Sequence, residues 1–182
     1  DAIDGPEDGP LPAFARLRRG PHTLQARSDP TLTITLPNHV GMVTGRTIDG
    51  PHGHGWKQND DPRAARDGGT IQANRGSYVP GMFDVAHDHG LRTAVIATKT
   101  KFTLFVQSYD DSNGAPDTTD GDDGRAKVDA FCYLRRMEDA ARAAVDQLRA
   151  APARSLTFLH LGAPDFAGHA EGWSMDAGSP YR

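Results

Sequence analysis

The alternation of apolar and polar stretches along the chain predicts an α/β fold. Short runs of β-branched and aliphatic residues alternate with stretches in which apolar residues recur at helical spacing. A strand, loop, helix, strand order of this kind is typical of a mostly parallel sheet. The predicted strands are residues 22–27, the first part of 31–45, 91–97 and a central strand at 155–161, and the predicted helices are 13–19, 36–44, 80–89 and 126–150.

Proline and glycine mark the ends of the predicted helices. Pro37 falls in the first turn of the helix at 36–44, where proline is tolerated, and Gly45 is a natural stop. Gly90 is the predicted C-cap of the helix at 80–89. The apolar residues near helical spacing in the longest helix are Val128, Phe131, Leu134, Ala141, Val145 and Leu148, and Pro152 follows its end.

Three polar, glycine-rich segments are predicted to be loops or to lie outside the strands. Residues 46–77 form a long loop of the kind that is functional or mobile in compact domains. Residues 110–124 (DDSNGAPDTTDGDDG) are predicted to form a flexible acidic surface loop, and they lack the glycine and glutamate positions of an EF-hand. Residues 163–175 (APDFAGHAEGWSM) follow the last strand at its carboxyl end, where open α/β sheets bind ligands.

Size and charge limit the class of protein. A length of 182 residues with 37% hydrophobic residues suits one domain with a real core. A net charge of -4 argues against a nucleic-acid groove or a membrane-surface partner, both of which usually need basic residues. No apolar run is long enough for a membrane span. The single cysteine, Cys132, sits in an apolar run and is predicted to be a buried, inert thiol.

The segment around Thr35 offers a candidate nucleophile. Thr35 lies where the predicted strand becomes a helix, so unpaired N–H groups and the helix dipole favour a phosphate there. A hydroxyl needs help to act as a nucleophile, and a metal ion supplies it directly. Asn38, one turn into the helix, could donate its amide to a phosphoryl oxygen. The simpler alternative is that Thr35 only caps the helix.

Asp165 and His169 form a second candidate group. They are four residues apart just after the last predicted strand, with Gly162 and Gly168 to allow tight turns. Carboxylate and imidazole are zinc ligands. Taken alone, this spacing equally describes solvated loop residues.

Two strings resemble the type I phosphodiesterase/nucleotide pyrophosphatase family of the alkaline phosphatase superfamily. TLPNHVGMVTG (35–45) is similar to the family's nucleophile segment, and PDFAGHAEGW (164–173) is similar to its second signature. GHGW (53–56) and residues 83–102 resemble the stretches between them. The resemblance spans roughly residues 25–175 and implies a three-layer α/β/α sandwich with a mostly parallel sheet.

The resemblance also implies a chemistry for these residues. Thr35 would be the nucleophile and a metal ligand, Asn38 the phosphate-oxygen donor, and His39 a structural residue. Asp165 and His169 would bind one of two divalent metal ions, expected to be zinc. The implied activity is hydrolysis of a phosphodiester or pyrophosphate bond in a small phosphorylated substrate, through a covalent phospho-threonine. Family members usually act outside the cytoplasm, so a periplasmic or secreted location is expected.

Other polar strings are interpreted as non-functional. His52 and His54 are expected in a mobile loop rather than in a second zinc site. The string His87 to Gly90 matches the superfamily's Asp-His-Gly, but it precedes the Asp/His segment instead of following it, so it is rejected as a ligand site. Lys99 and Lys101 could attract an anionic substrate, although a solvated loop explains them equally well.

The sequence is expected to be an incomplete domain. The family draws its metal ligands from four regions, and only two are recognised here. Asp1 or Asp4 could be proposed for the first region, but no apolar strand precedes them. The chain is therefore expected to be an N-terminal fragment, inactive alone and only marginally stable.

Three alternatives remain open at this stage. One is a phosphomonoesterase, sulfatase or phosphonate hydrolase of the same superfamily, although the sulfatase nucleophile motif is absent. Another is a truncated, non-catalytic protein that binds a phosphorylated ligand or a partner. The third is a metal-binding module that uses the eight histidines.

Overall fold

The computed structural model describes residues 12–23, 25–64, 69–119, 121–150 and 154–181. Ser28–Leu161 form one compact unit, and the described residues before and after it form a second. The helices are α1 Pro12–Leu17, α2 Thr35–Thr44, α3 Ile71–Arg75, α4 Met82–Asp88, α5 Thr103–Ser108, α6 Met137–Ala150 and α7 Ala163–Glu171, with 3-10 turns at Pro62–Ala64 and Thr100–Phe102. The strands are β1 Arg92–Ala97, β2 Ala130–Tyr133 and β3 Ser155–His160.

The three strands form one all-parallel sheet in the order β2-β1-β3. Val95 in the central strand is paired with Phe131 of β2 and Phe158 of β3. Both crossovers carry helices, as parallel pairs require. The prediction of an α/β fold with a parallel sheet is therefore confirmed.

Helices pack against both faces of β1. Val95 and Ala97 belong to the main core, whereas Ile96, which points to the opposite face, packs against Ala140 and Ala144 of α6. Burial on both faces explains why β1 is a nearly continuous apolar run. The main core consists of Leu36, Val40, Val43, Trp56, Ile71, Val79, Phe83, Val95, Ala97, Phe102, Leu104, Phe105 and Tyr109.

Several helix predictions are confirmed, one of them together with its predicted C-cap. α1, α2 and α4 match the helices predicted at 13–19, 36–44 and 80–89. Gly45 caps α2 at φ 67°, a left-handed conformation that favours glycine. Helix α4 ends at Asp88 with His89 as its C-cap, so Gly90, the predicted cap, lies one residue further on at φ 65°. The predicted loop at 46–77 is mostly irregular, but it also contains the short helix α3.

The strands predicted before α2 do not form. The described residues of 22–27 and those of 31–34 lie outside the sheet. Near the second segment, the Asp29 carboxylate accepts hydrogen bonds from the N–H groups of Thr31 at 2.8 Å and Ile48 at 2.9 Å. Because these N–H groups donate to one side chain, the segment bends at Asp29 and does not form hydrogen bonds with a described strand. These bonds also hold the pKa of Asp29 down at about 2, with the bond from Ile48 as the largest cause.

The long helix predicted at 126–150 begins eleven residues too early. Ala130–Tyr133 form β2, and helix α6 starts only at Met137. The strand entrance is fixed by a reciprocal pair, in which Thr93 N–H donates to Asp129 Oδ2 at 2.7 Å and Asp129 N–H donates to Thr93 Oγ1 at 3.1 Å. Tertiary pairing therefore overrides a helical spacing that arose by coincidence. Cys132, on β2, is half-buried rather than buried.

The strand predicted at 155–161 is confirmed as Ser155–His160, but its position in the sheet differs. Within the described residues it lies at an edge, and β1 is the central strand. The burial of the two strands agrees with this order, because β1 has five buried residues in succession whereas only His160 is buried in β3.

Candidate functional site

Thr35 is the first residue of α2, and its hydroxyl does not cap the helix. Ile34 holds the N-cap position with φ -113° and ψ 160°, and it provides no side-chain cap. Thr35 is half-buried, and its hydroxyl has no hydrogen-bond partner in the part of the chain that the structure describes. The capping alternative therefore does not hold. The hydroxyl has no hydrogen-bonding role among the described residues, so it could take part in a reaction.

The N–H groups of the first turn of α2 are largely occupied. The N–H of Leu36 donates to Oδ1 of Asn59 at 2.9 Å, and the N–H of Asn38 donates to the Ile34 carbonyl at 3.3 Å. Pro37 has no N–H. Among the described residues of this turn, the N–H of Thr35 is the one without a hydrogen-bond acceptor. It could therefore donate to an anion.

Asn38 is engaged in holding the loop before the helix. Its Nδ2 donates to the carbonyls of Leu32 and Ile34, each at 2.8 Å, and its Oδ1 accepts the Asp29 N–H at 2.7 Å. Both amide hydrogens are therefore used. To donate to a phosphoryl oxygen, as predicted, Asn38 would have to give up one of these bonds.

Asn59 is a candidate that the sequence analysis missed. Its Oδ1 accepts the Leu36 N–H, so its planar amide lies beside the first turn of α2. The amide NH₂ has no hydrogen-bond partner within the described ranges. Asn59 sits in a polar stretch (KQNDD) without periodicity, so nothing in the local sequence distinguishes it from an ordinary loop residue.

His39 has a structural role, in agreement with the prediction. Its Nδ1–H donates to the Thr35 carbonyl at 2.7 Å. Its ring meets the edges of Phe102 and His160, with ring centroids 4.9 Å and 5.5 Å apart. His39 thus joins the residue that carries the candidate nucleophile to the core.

The same contacts place α2 over the carboxyl end of the sheet. His160 is the last residue of β3, and its Nδ1 lies 3.3 Å from the hydroxyl of Thr98, which directly follows β1. His39 packs against His160, one turn along α2 from Thr35. The candidate nucleophile therefore lies at the end of a parallel sheet where ligands bind.

Asp165 and His169 lie together on α7. The predicted loop at this position is wrong for Ala163–Glu171, which are helical. Four residues apart, the two side chains share one helix face, with His169 Nε2 3.6 Å from Asp165 Oδ1. Zinc bonds of about 2.0–2.1 Å at a tetrahedral angle place two ligand atoms roughly 3.3 Å apart. The separation of the two atoms is thus compatible with a shared metal ion, for which the pair could supply two ligands.

The structure groups the predicted residues as two pairs. Thr35 and Asn38 lie on α2 in one compact unit, and Asp165 and His169 lie on α7 in the other. Asp1 and Asp4, considered for a further ligand region, lie outside the described residues.

His87 belongs to a buried charge cluster that the sequence did not reveal. Its Nδ1 lies 3.0 Å from Asp117 Oδ1 and 3.2 Å from Asp123 Oδ1, so these three residues could hold a metal ion. The ammonium of Lys127 already contacts the Asp117 carboxylate and lies 3.6 Å from Asp88 Oδ1. A lysine thus supplies positive charge to this cluster, and the rejection of the string as a metal site stays a prediction.

Asp117 shows that the acidic loop is not solvated throughout. Its side chain is only 1% exposed. Burial works to raise its pKa, but hydrogen bonds from Lys127, from the backbone of Asp123 and from His87 hold the pKa well below the ordinary value. The predicted surface loop at 110–124 is therefore anchored to the interior by one carboxylate.

His54 is also buried, whereas it was predicted in a mobile loop. Its side chain is fully enclosed, and its Nδ1 accepts the Trp56 N–H at 3.1 Å. Burial lowers the pKa of His54 to about 4. His52, two residues earlier, is exposed. The two histidines therefore have different surroundings, one buried and one exposed.

No described helix is both long enough and apolar enough to cross a membrane. A scan against protein-family models and searches of curated proteins and of solved structures found no match to this chain. The case for a function therefore depends on the residues themselves and on their geometry.

Proposed function

We propose that the chain carries the nucleophile and one metal-binding pair of a hydrolase that cleaves phosphodiester or pyrophosphate bonds. The nucleophile is Thr35, and the metal-binding pair is Asp165 and His169. The proposal includes the three-layer α/β/α fold of the alkaline phosphatase superfamily. A parallel sheet with helices against both faces supports that fold.

The observation that carries the proposal is the free hydroxyl of Thr35 at the start of α2. A threonine that capped the helix would have its oxygen on a backbone N–H. Here the oxygen is unengaged in the described part of the chain, beside the positive end of a ten-residue helix. His39, one turn along the same helix, packs against His160 at the carboxyl end of β3. This combination suits in-line attack on a phosphate.

The reaction proceeds in two displacements. Thr35 Oγ attacks phosphorus, the bond to the leaving oxygen breaks, and the hydroxyl proton of Thr35 passes to solvent. Water then attacks the phospho-threonine, the bond between Oγ and phosphorus breaks, and Thr35 regains a proton. The N–H of Thr35 and the amide NH₂ of Asn59 stabilise the phosphoryl oxygens during both steps.

Two divalent metal ions complete this proposal. Asp165 and His169 have the donor types and the 3.6 Å separation to hold one of them. Thr35 is the proposed ligand of the other. When bound, such ions lower the pKa of a coordinated hydroxyl and neutralise charge on the phosphoryl oxygens.

The nucleophile is tested with Thr35→Val, which removes the hydroxyl and keeps the shape. We expect hydrolysis of bis(p-nitrophenyl) phosphate with added Zn²⁺ to fall to the uncatalysed background, a loss of at least about a thousandfold. Thr35→Ser should retain activity. Thr44→Val is the matched control, because it removes a hydroxyl at the other end of the same helix.

Covalent capture provides the second readout. Rapid acid quenching during turnover should leave one phosphoryl adduct on the peptide that contains Thr35, detectable by mass spectrometry. Activity that persists in Thr35→Val would refute the nucleophile assignment. Faster turnover of p-nitrophenyl phosphate than of the diester would favour the phosphomonoesterase alternative.

A non-catalytic protein is the second candidate. It is favoured by the ligand count, because α7 supplies two ligands and a catalytic zinc usually has three from the protein. This candidate predicts saturable binding of a phosphate ester without turnover. Equilibrium dialysis with p-nitrophenyl phosphate, followed by assay of the released phenolate, separates the two functions.

The two asparagines beside Thr35 are expected to differ in their effects. Asn59→Ala should lower kcat/KM by on the order of 100-fold, because it removes a donor to the phosphoryl oxygens. Asn38→Ala should act on stability instead, since it removes three hydrogen bonds worth about 1 kcal/mol each. Kinetics and urea unfolding of both variants check this. If Asn38→Ala alone lowers kcat/KM at unchanged stability, Asn38 is the donor.

A further inference from the structure

The indole of Trp173 lies against the backbone of α7 at Gly168. A Cβ atom added to Gly168 would lie 2.4 Å from both Cε3 and Cζ3 of the indole, far closer than van der Waals contact. The ring therefore occupies the space that any other residue at position 168 would need. This contact explains why glycine is found on a helix, where it is otherwise unfavourable.

The same indole meets His169, the neighbour of Gly168. The ring centroids of Trp173 and His169 are 5.6 Å apart at 71°, an edge-to-face arrangement. On its other side Trp173 packs edge-to-face on Tyr181, with centroids 5.0 Å apart. Trp173 is 55% exposed, so these contacts form a local surface cluster and not part of a core.

His169 needs such support because its side chain is 73% exposed. An exposed imidazole samples several rotamers, and ordering it on binding a ligand costs conformational entropy. A neighbouring ring that favours one rotamer reduces that cost before the ligand arrives. The favoured rotamer here is the one that places His169 Nε2 3.6 Å from Asp165 Oδ1.

We propose that Trp173 is a positioning residue for metal binding, which holds the His169 imidazole in the orientation that shares a divalent ion with Asp165. Gly168 contributes to this arrangement, because the absence of a side chain allows the indole to reach the helix backbone. The inference rests on the proposed role of Asp165 and His169 as a metal pair. Trp173 itself is not a ligand.

The test measures metal affinity at His169 and does not depend on turnover. Zn²⁺ is titrated into the full chain while the ring nitrogens of His169 are followed by two-dimensional ¹H–¹⁵N NMR. We expect Trp173→Ala to weaken Zn²⁺ binding at His169 Nε2 by about tenfold or more, the usual effect of losing a residue that orients a ligand. Trp173→Phe, which keeps an aromatic ring, should restore much of the affinity.

Gly168→Ala is the complementary variant. It keeps Trp173 but pushes the indole away from α7, so it should weaken Zn²⁺ binding as Trp173→Ala does. Ala170→Ser is the matched control, because Ala170 is exposed on the same helix and should bind Zn²⁺ like the unchanged protein. Thermal unfolding of each variant shows whether folding has changed.

The Asp165→Asn variant distinguishes failure of the proposed metal pair from failure of the positioning role of Trp173. If Zn²⁺ shifts His169 equally in Asp165→Asn and in the unchanged chain, the metal pair is wrong and the positioning role fails with it. If Asp165→Asn weakens binding but Trp173→Ala and Gly168→Ala do not, the metal pair stands and only the positioning role is overturned.

Discussion

Replacing Lys127 with methionine is expected to lower the free energy of unfolding by about 3–5 kcal/mol. The Lys127 side chain is fully buried, and its ammonium contacts the Asp117 carboxylate, which is 1% exposed. It also donates to the Gly124 carbonyl at 2.8 Å. Methionine fits the space but leaves a buried carboxylate without its counter-charge, and that uncompensated charge is the source of the loss.

Urea unfolding measures this loss, and two variants serve as comparisons. Lys57→Met removes a lysine from an exposed ion pair with Asp49, so it should cost less than about 1 kcal/mol. The double variant Lys127→Met with Asp117→Asn removes both charges and should recover part of the stability. A loss below 1 kcal/mol in Lys127→Met alone would show that the cluster does not hold the acidic loop to the core.

Acidification from pH 6.5 to 4 is expected to destabilise the protein through His54, by on the order of 3 kcal/mol. Burial lowers the pKa of His54 from 6.5 to about 4 in the folded chain, while Asp29 and Asp49 partly oppose this and Arg46 adds to it. The unfolded chain therefore takes up the proton first. The stabilisation is complete above about pH 6.5 and is lost as the pH falls towards 4.

His54→Asn isolates this contribution. The asparagine oxygen can replace Nδ1 as acceptor for the Trp56 N–H, but it does not titrate in this range. The variant should be less stable near pH 7, because it fills less of the buried space. Its stability should nevertheless depend less on pH between 6.5 and 4.5. Equal slopes for the two proteins in urea unfolding at several pH values would exclude His54 as the group responsible.

Local signals predicted those parts of the fold that depend on local interactions. The ends of α2 and α4 followed from Gly45 and Gly90, because a left-handed residue after a helix favours glycine wherever the helix lies. The continuous apolar run of β1 identified a strand buried on both faces. The segment at 130–133 was assigned to a helix because its pairing depends on Thr93, which is distant in sequence.

The residues of the candidate site also divide into those that local sequence indicates and those that depend on contacts between distant segments. Thr35 and the pair of Asp165 and His169 could be proposed from the sequence because their spacing is local and they resemble known strings. Asn59 was missed because its place beside α2 depends on a bond to Leu36 across a long loop. The cluster at Lys127 joins residues from α4, the acidic loop and the entrance of β2, and no single stretch of sequence contains that information.

The central position of β1 has a consequence for how the chain folds. Both of its neighbours, β2 and β3, come later in the sequence, and each pairing must first overcome the entropy of closing a long crossover. During synthesis the apolar strand Arg92–Ala97 therefore leaves the ribosome with two unpaired edges. It keeps one of them until Ser155–His160 has been made. Until then the nascent chain exposes an apolar strand with an unpaired edge, to which chaperones or other nascent chains can bind.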